Sequence, residues 1–208
     1  MRTTLAAALA LMVSVLICPA HAGFVTFTLT PISQTVNVGD TADVILGISG
    51  LGDYASPSLS AFTLGLAFDP ALLSVRGVTF GDPGTGFDYL APSGPVGSMP
   101  TYGLTGPGML ALSELSLELP PILVTIQPDA FALATVTFDA IAPGTSPLVY
   151  GGGLLVDEQG SPLWPDPVFS SGFITVQAVP VPGALVLGLI GLGFLTRCAS
   201  PRSRKKSQ

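Results

Sequence analysis

Strict alternation between apolar and small or polar side chains is the feature that most limits how this chain can fold. From Phe62 to Phe68 every second residue is Phe or Leu, and the residues between them are Thr, Gly and Ala. Side chains of a β-strand point alternately to the two faces of its sheet. Residues 59–68 are therefore predicted to form a strand with one buried face, ended by the turn-forming pair Asp69-Pro70.

Further short segments with a strand-like pattern follow one another, separated by stretches rich in Gly, Pro, Ser and Asp. The predicted strands are residues 24–30, 33–38, 41–49, 59–68, 72–80, 131–141, 148–155 and 172–177. Residues 109–119 fit a strand or one short helix, closed by Pro120-Pro121. Because no long amphipathic helix pattern accompanies these segments, the sequence predicts an all-β fold, a two-sheet antiparallel sandwich.

Two segments of this domain allow more specific predictions. In residues 131–141 the alternation assigns one face of the strand to Ala132, Ala134, Val136, Phe138 and Ala140. Residues 81–108 are rich in Gly and Pro and show no sustained period. Because they are too long for a passive turn, they are predicted to be a structured excursion or a mobile surface loop, and a candidate contact surface.

Three parts of the chain carry a resemblance to a known fold family. They are residues 38–46, residues 59–75 with the corner Phe68-Asp69-Pro70, and residues 131–145 with their Ala-Pro-Gly-Thr end. Here the chain resembles cohesin domains, the jelly-roll β-sandwich modules of cellulosome scaffolds and of many bacterial exported proteins. The resemblance implies a jelly-roll domain over residues 23–178 and a dockerin-like protein partner, since cellulosomal cohesins bind dockerin through one sheet face. Residues 81–128 depart from the cellulosomal pattern.

The part of the chain between its two apolar ends is strongly acidic. All thirteen Asp and Glu residues fall within residues 23–179, where Arg76 is the one basic residue, for a net charge of −12. A surface of this sign repels phosphate, so nucleic acid is excluded as a partner.

Cys, His and Lys are missing from residues 23–179. Their absence from this part of the sequence excludes disulfides, His-dependent catalytic triads, His-ligated metal sites and lysine Schiff bases there. The domain is therefore predicted to be held by its core and to have no catalytic role.

Residues 1–22 have the pattern of a secretory signal peptide. Arg2 gives a positive start, an apolar stretch runs from residue 5 to residue 17, and Ala20-His21-Ala22 matches a small-x-small cleavage site. Signal peptidase is predicted to cut between Ala22 and Gly23, which makes residues 23–178 an exported domain.

The C-terminal thirty residues combine a short apolar run with a basic end. As a helix, residues 183–196 would reach about 21 Å, less than the roughly 30 Å hydrocarbon core of a bilayer. Basic residues favour the cytoplasmic side, and five of them follow the run: Arg197, Arg202, Arg204, Lys205 and Lys206. Residues 179–208 are predicted to be a membrane-directed tail with a transmembrane helix at about 183–196.

The residues at the start of this tail form a Pro-x-Pro motif: Val179, Pro180, Val181, Pro182, Gly183 and Ala184. The tail resembles that of the PEP-CTERM family of bacterial exported proteins, in which a Pro-Glu-Pro motif precedes one apolar helix and an arginine-rich end. The resemblance implies sorting by an exosortase-type membrane processing enzyme. Because Val181 stands where that family has Glu, a plain single-pass anchor is the alternative.

Loop carboxylates are candidate calcium ligands, since calcium prefers oxygen donors. The candidates are Asp40, Asp53, Asp82, Asp88, Asp157 and Glu158. No Asp-x-Asp-x-Asp-Gly loop is present, and the same residues are typical of a solvated anionic surface. No other cofactor is predicted.

Two sets of residues point to sugars, each with a plainer explanation. Glu114 and Glu118 fit the paired carboxylates of a glycosidase or an ordinary exposed face. Trp164, with Tyr89, Tyr102 and Tyr150, fits a sugar-stacking platform or a packed loop anchor.

The sequence thus predicts a non-catalytic protein of the cell envelope, cell surface or extracellular matrix that binds protein or exopolysaccharide. It is predicted to be held transiently or permanently in the inner membrane by its tail. The alternatives are a carbohydrate-binding or carbohydrate-active secreted protein and a plain membrane-anchored adhesin.

Overall fold

The computed structural model describes residues 24–163 and 168–179, which form eleven strands and one short helix. The first six strands are β1 (Thr26–Thr30), β2 (Ser33–Asn37), β3 (Thr41–Ser49), β4 (Leu59–Ala67), β5 (Leu73–Phe80) and β6 (Ser98–Gly106). The remaining elements are β7 (Met109–Ser116), α1 (Pro120–Ile126), β8 (Ala130–Ala140), β9 (Gly144–Asp157), β10 (Val168–Phe169) and β11 (Gly172–Gln177).

The strands form two sheets. The five-stranded sheet has the order β10-β1-β3-β8-β5, and the six-stranded sheet has the order β2-β11-β9-β4-β7-β6. Neighbouring strands are antiparallel except for the pairs β1 with β10 and β2 with β11. The predicted two-sheet antiparallel sandwich is confirmed.

The core lies between the sheets and is built by the alternation seen in the sequence. Phe62, Leu64 and Leu66 of β4 are all 2% exposed or less. Ring contacts join the two sheets: the centroids of Phe62 in β4 and Phe80 in β5 are 6.3 Å apart, and those of Phe68, just after β4, and Phe138 are 5.3 Å apart. Each such side chain contributes roughly 1.5–3 kcal/mol through its removal from water.

One face prediction is wrong because of a bulge in β8. Leu46 of β3 pairs with Ala134, and the next residue, Gly47, pairs with Ala132, so Leu133 has no partner of its own. Leu133 and Ala134 are consequently both buried, whereas Ala132 lies on the other face of the strand. An inserted residue reverses the alternation that a regular strand would keep.

The prediction of a loop over residues 81–108 is wrong for its last part. Ser98–Gly106 is strand β6, antiparallel to β7 at the edge of the six-stranded sheet. Seven of its nine residues are exposed, so no buried face imposes an alternation on the sequence. Residues 81–97 are irregular but ordered by hydrogen bonds, as described below.

Of the two elements considered for residues 109–119, the strand is correct, and a short helix lies beyond it, beginning at the prolines that were predicted only to close the segment. Met109–Ser116 is a strand, and the two prolines begin helix α1. Proline is suited to the first helical turn, where its missing N–H would have no intrahelical partner. Leu123 is the buried residue of this helix.

Strand β10 carries no signal in the sequence, since it has two residues. It pairs with β1, and Phe169 stacks on Phe27 with ring centroids 5.2 Å apart.

Several predictions made from the sequence concern residues outside the described ranges. These include the signal peptide with Ala20, Ala22 and Gly23, and the tail from Pro180 onward with its basic cluster. Val179, the first residue of the Pro-x-Pro motif, is described and is exposed. Within the described ranges, no helix has the length and apolar character needed to cross a bilayer.

Candidate interaction surface

The outer side of the six-stranded sheet carries a set of exposed apolar side chains. Cross-strand register places Met99 beside Leu115 and Leu115 beside Ala61. The apolar members are 43–58% exposed, and they are Met99, Leu115, Val149, Leu154 and Phe173. We call this side of the sheet the neutral face.

Small and hydroxyl-bearing residues lie between these apolar side chains. One register row runs Thr101, Ser113, Thr63 and Leu154 across four strands. Thr101 Oγ1 lies 2.7 Å from Ser113 Oγ, and Thr145 Oγ1 lies 3.3 Å from Thr175 Oγ1. Because these hydroxyls form hydrogen bonds with each other, removing water from the surface costs them little hydrogen-bonding free energy.

No charged residue points outward from this sheet. Its strands contain two ionisable carboxylates, Glu114, which points inward, and Asp157, which ends β9. The opposite sheet differs: Thr137 donates a 2.6 Å hydrogen bond to Asp43, and Arg76 lies 3.4 Å from Asp139 on its outer side. A neutral, partly apolar face on so acidic a domain is the surface that is easiest to desolvate.

Strand β6 extends the sheet beyond the sandwich. Tyr102 and Leu104 pair with the buried residues Leu112 and Leu110, yet they are 52% and 61% exposed. One long edge of β6 has no partner strand in the described part of the chain. The neutral face therefore continues to an open edge.

The predicted calcium ligands are not brought together, since the described residues contain no group of three or more side chains suited to a metal ion. Several of them hold turns instead. Asp40 accepts hydrogen bonds from the backbone and side chain of Asn37, and Asp157 accepts from the backbone of Gln159 and Ser161. Turn formation accounts for the position of these carboxylates.

Asp82 and Asp88 also order their own loop. Asp82 accepts hydrogen bonds from the Gly84 backbone at 2.8 Å and from Thr85 Oγ1 at 3.0 Å, and these bonds lower its pKa. Asp88 accepts a 2.8 Å bond from the Leu90 backbone.

Glu158 forms a buried clamp rather than a surface charge. Its carboxylate accepts hydrogen bonds from Ser56 Oγ at 2.6 Å, the Ser58 backbone at 2.8 Å and Ser58 Oγ at 3.2 Å. Burial alone would raise its pKa, but these hydrogen bonds outweigh burial and lower it. The clamp ties the 50–58 loop to the end of β9.

Glu114 and Glu118 do not form a catalytic pair, and the prediction of a shared exposed face is wrong for Glu114. Glu114 points inward from β7 and is 1% exposed. Glu118 lies beyond the strand and accepts a 3.3 Å bond from the Ser93 backbone. Burial is the main cause that raises the pKa of Glu114, to about 8; the nearby Asp88 adds to it, and a hydrogen bond from Ser98 partly offsets it.

The three tyrosines considered for sugar stacking have different surroundings. Tyr89 packs on Phe131 with ring centroids 4.8 Å apart, and Tyr150 packs on Phe27 at 5.6 Å. Burial raises the pKa of the Tyr150 hydroxyl. Tyr102 is exposed on β6, so these tyrosines do not share a stacking surface; Trp164 lies outside the described residues.

No family model matches the chain, and no curated protein matches it either. Similarity to solved structures is nevertheless extensive. The cohesin of a type I cohesin–dockerin complex from Clostridium thermocellum superposes with a TM-score of 0.58 at 13% identity, covering 76% of this chain and 96% of that one.

Two further cohesins come from outside that complex. The cohesin module of a Clostridium perfringens family 33 glycoside hydrolase gives a TM-score of 0.56 at 15% identity, covering 76% of this chain and 98% of that one. A non-cellulosomal cohesin from Archaeoglobus fulgidus gives 0.53 at 16%, with coverage of 79% and 97%. The described domain is a cohesin-like jelly-roll β-sandwich.

Proposed function

We propose that this chain is a non-catalytic, exported interaction module that binds a dockerin-like protein partner through its neutral face. The observation that carries the proposal is the absence of outward charge on the six-stranded sheet of a domain whose net charge is −12. Burying an unpaired charge in an interface is costly, so a charge-free face is the one best suited to close contact.

The size of the neutral face suits a stable complex. The six strands average about 29 Å in length, and at a spacing of about 4.8 Å they give a flat area of roughly 800 Å². A standard interface buries about 800 Å² on each partner. The exposed apolar side chains Met99, Leu115 and Leu154 would supply the anchoring contacts.

The fold supports the class of partner. Several of the solved structures similar to this chain are complexes of a cohesin with a dockerin. The partner expected here presents an uncharged, partly apolar surface to Thr63 and its neighbours. Polysaccharide has no comparable support, because the residues considered for sugar stacking contact different parts of the fold.

A charge placed on each outer sheet face in turn would test this function. Thr63→Asp adds a carboxylate at the centre of the neutral face, and Thr79→Asp adds one at an exposed Thr on the other sheet. Secreted and envelope proteins of the host cell would be captured on immobilised wild type and on each variant.

A protein partner should bind wild type and Thr79→Asp equally and bind Thr63→Asp at least about 100-fold more weakly, since an unpaired buried charge costs about 3 kcal/mol or more. Equal binding by all three proteins would show that the neutral face is not the docking surface.

We further propose that the two ends of the chain direct export and sorting. A signal peptide at residues 1–22 and a PEP-CTERM-type tail at residues 179–208 would place the domain at the cell surface or in the extracellular matrix, with an exosortase-type enzyme removing the tail. The support is the sequence pattern of both ends.

Intact mass of the protein from the host's envelope and medium tests both ends at once. A mass that starts at Gly23 and ends near Pro182 is expected. A mass that runs through Gln208 would instead identify a membrane-anchored surface domain.

A further inference from the structure

Residues 81–97, which we call the covering segment, are fastened over one end of the sandwich. Ser116 Oγ of β7 donates a 2.6 Å hydrogen bond to the Leu90 carbonyl, and Gln127 Nε2 donates a 3.2 Å bond to the Tyr89 carbonyl. Leu90 is 1% exposed. Tyr89 also packs on Phe131, the Ser93 backbone donates to Glu118, and the Leu117 backbone donates to the Gly97 carbonyl, so the segment is attached at several points along its length.

A buried carboxyl group lies on β7 at this attachment. Glu114 is 1% exposed, and Ser98 Oγ donates a 2.6 Å hydrogen bond to its Oε1. Its Oε2 is buried and receives no hydrogen bond from the described residues. An ionised carboxylate with a buried oxygen left without a donor is strongly unfavourable.

Among the described residues, one other titratable group lies beside Glu114. The residues paired with it across the sheet are Phe62 on β4 and Pro100 on β6, and Phe62 packs on Phe80 of the opposite sheet. The covering segment contributes Asp88, whose side chain lies within hydrogen-bonding reach of the Glu114 carboxyl group and whose charge disfavours ionisation of Glu114. Ser98 is polar but does not titrate.

Two neighbouring carboxylates accept hydrogen bonds and neither can donate one, unless a proton is present. A proton on Glu114 Oε2 would remove the buried charge and provide the donor that Asp88 can accept. The pKa of Glu114, raised to about 8, agrees with a proton that is retained at neutral pH.

We propose that Glu114 and Asp88 form a proton-dependent latch, in which a proton shared between their carboxyl groups holds the covering segment against β7 and its loss releases the segment. The segment is the part that moves, because Asp88 lies in a partly exposed loop, whereas β7 is fixed between β4 and β6. The latch is independent of the proposed docking function.

Amide hydrogen exchange, corrected for the intrinsic pH dependence of exchange, tests the latch on the full chain kept in mild detergent. The covering segment of the wild type should lose protection as the pH rises toward about 8, by up to roughly tenfold per pH unit, because opening releases a proton only while Glu114 stays protonated in the closed state. Above about pH 8 the loss of protection should level off. Strands β4 and β8 should keep theirs.

Glu114→Gln is the matched variant. Its side chain has the same shape, accepts from Ser98 and donates to Asp88, but it does not titrate. Protection of its covering segment should not change between pH 6 and pH 9. Asp88→Asn keeps the acceptor for the Leu90 backbone but removes the charge that helps to raise the pKa of Glu114, so its pH-dependent loss of protection should end at a lower pH than in the wild type.

A carbon-13 titration of the Glu114 carboxyl group in the wild type gives a second measurement that does not depend on any variant. A midpoint above pH 7 is expected. A midpoint below pH 6, the same transition in Glu114→Gln, or a loss of protection that includes β4 and β8 would each overturn the latch.

Discussion

At the scale of single residues, buried carboxylates in this domain have opposite ionisation preferences. Glu158 receives three hydrogen bonds and has a lowered pKa, whereas Glu114 receives one and has a raised pKa. The number of hydrogen-bond donors that reach each carboxylate decides whether the effect of burial dominates its pKa.

The raised pKa of Glu114 predicts that alkaline pH weakens the fold. Below pH 4.5 the group is protonated in both states and its contribution to stability is complete; between 4.5 and about 8 only the unfolded state loses the proton. This group should therefore lower the free energy of unfolding by roughly 1.4 kcal/mol per pH unit over that window. Urea denaturation of wild type and Glu114→Gln at pH 5, 6.5 and 8 measures it.

The comparison between the two proteins isolates Glu114, because all other titrating groups are shared. The difference in unfolding free energy should change by about 2 kcal/mol or more across the series. A difference that stays constant from pH 5 to pH 8 would mean that Glu114 is ionised in the folded protein.

The Glu158 clamp gives a second prediction at this scale. Glu158→Ala leaves the Ser58 backbone N–H and two serine hydroxyls without their acceptor, so it should destabilise the fold by about 2–4 kcal/mol. Gln159→Ala, next to it and exposed, should cost less than about 0.5 kcal/mol. Thermal denaturation compares the two variants, and equal effects would contradict the clamp.

At the scale of elements, what could be predicted depended on whether a strand buries one face. Strand β4 has a clean alternation, so its position and its inward residues followed from the sequence. Strand β6 is exposed on both sides and gave no pattern to detect, and the bulge at Leu133 is set by pairing with β3 rather than by local sequence.

The same limit applied to Glu114. In residues 109–116 it occupies the inward phase set by Leu110 and Leu112, so the signal for a buried carboxyl group was present. This alternation implies burial of Glu114 only if residues 109–116 form a strand, and the sequence alone did not distinguish a strand from a helix there. The neutral face could not be predicted either, because its residues come from six strands whose order depends on tertiary pairing.

The alternation in β4 predicts unequal effects at neighbouring positions. Leu64→Ala should destabilise the domain by about 2–5 kcal/mol, because Leu64 is 1% exposed and its removal leaves a cavity in the core. Thr63→Ala, one residue away on the neutral face, should change stability by less than about 0.5 kcal/mol. Denaturant titration distinguishes them, and similar losses would mean that β4 has no distinct inner face.

At the scale of the whole molecule, the negative charge is distributed unevenly. The loops and the outer side of the five-stranded sheet carry carboxylates, while the six-stranded sheet presents none outward. Because like charges repel, copies of the domain should repel one another through the charged surfaces and not through the neutral face.

Calcium should not stabilise the domain through a specific site, since the described carboxylates are spread over separate turns. The melting temperature in millimolar calcium is expected to match that in sodium chloride of equal ionic strength, which controls for screening. A saturable rise with calcium alone would reveal a specific site.

The place of β11 in the sheet has a mechanical consequence. Strand β11 is the last element of the described part of the chain, and it forms five residue pairs with β2 on one side and five with β9 on the other. A pull applied at Val179 along the strand would load both rows of hydrogen bonds lengthwise, so they would have to shear together instead of opening one at a time. If the tail tethers the domain while a partner drags on its neutral face, the force would pass through this strand.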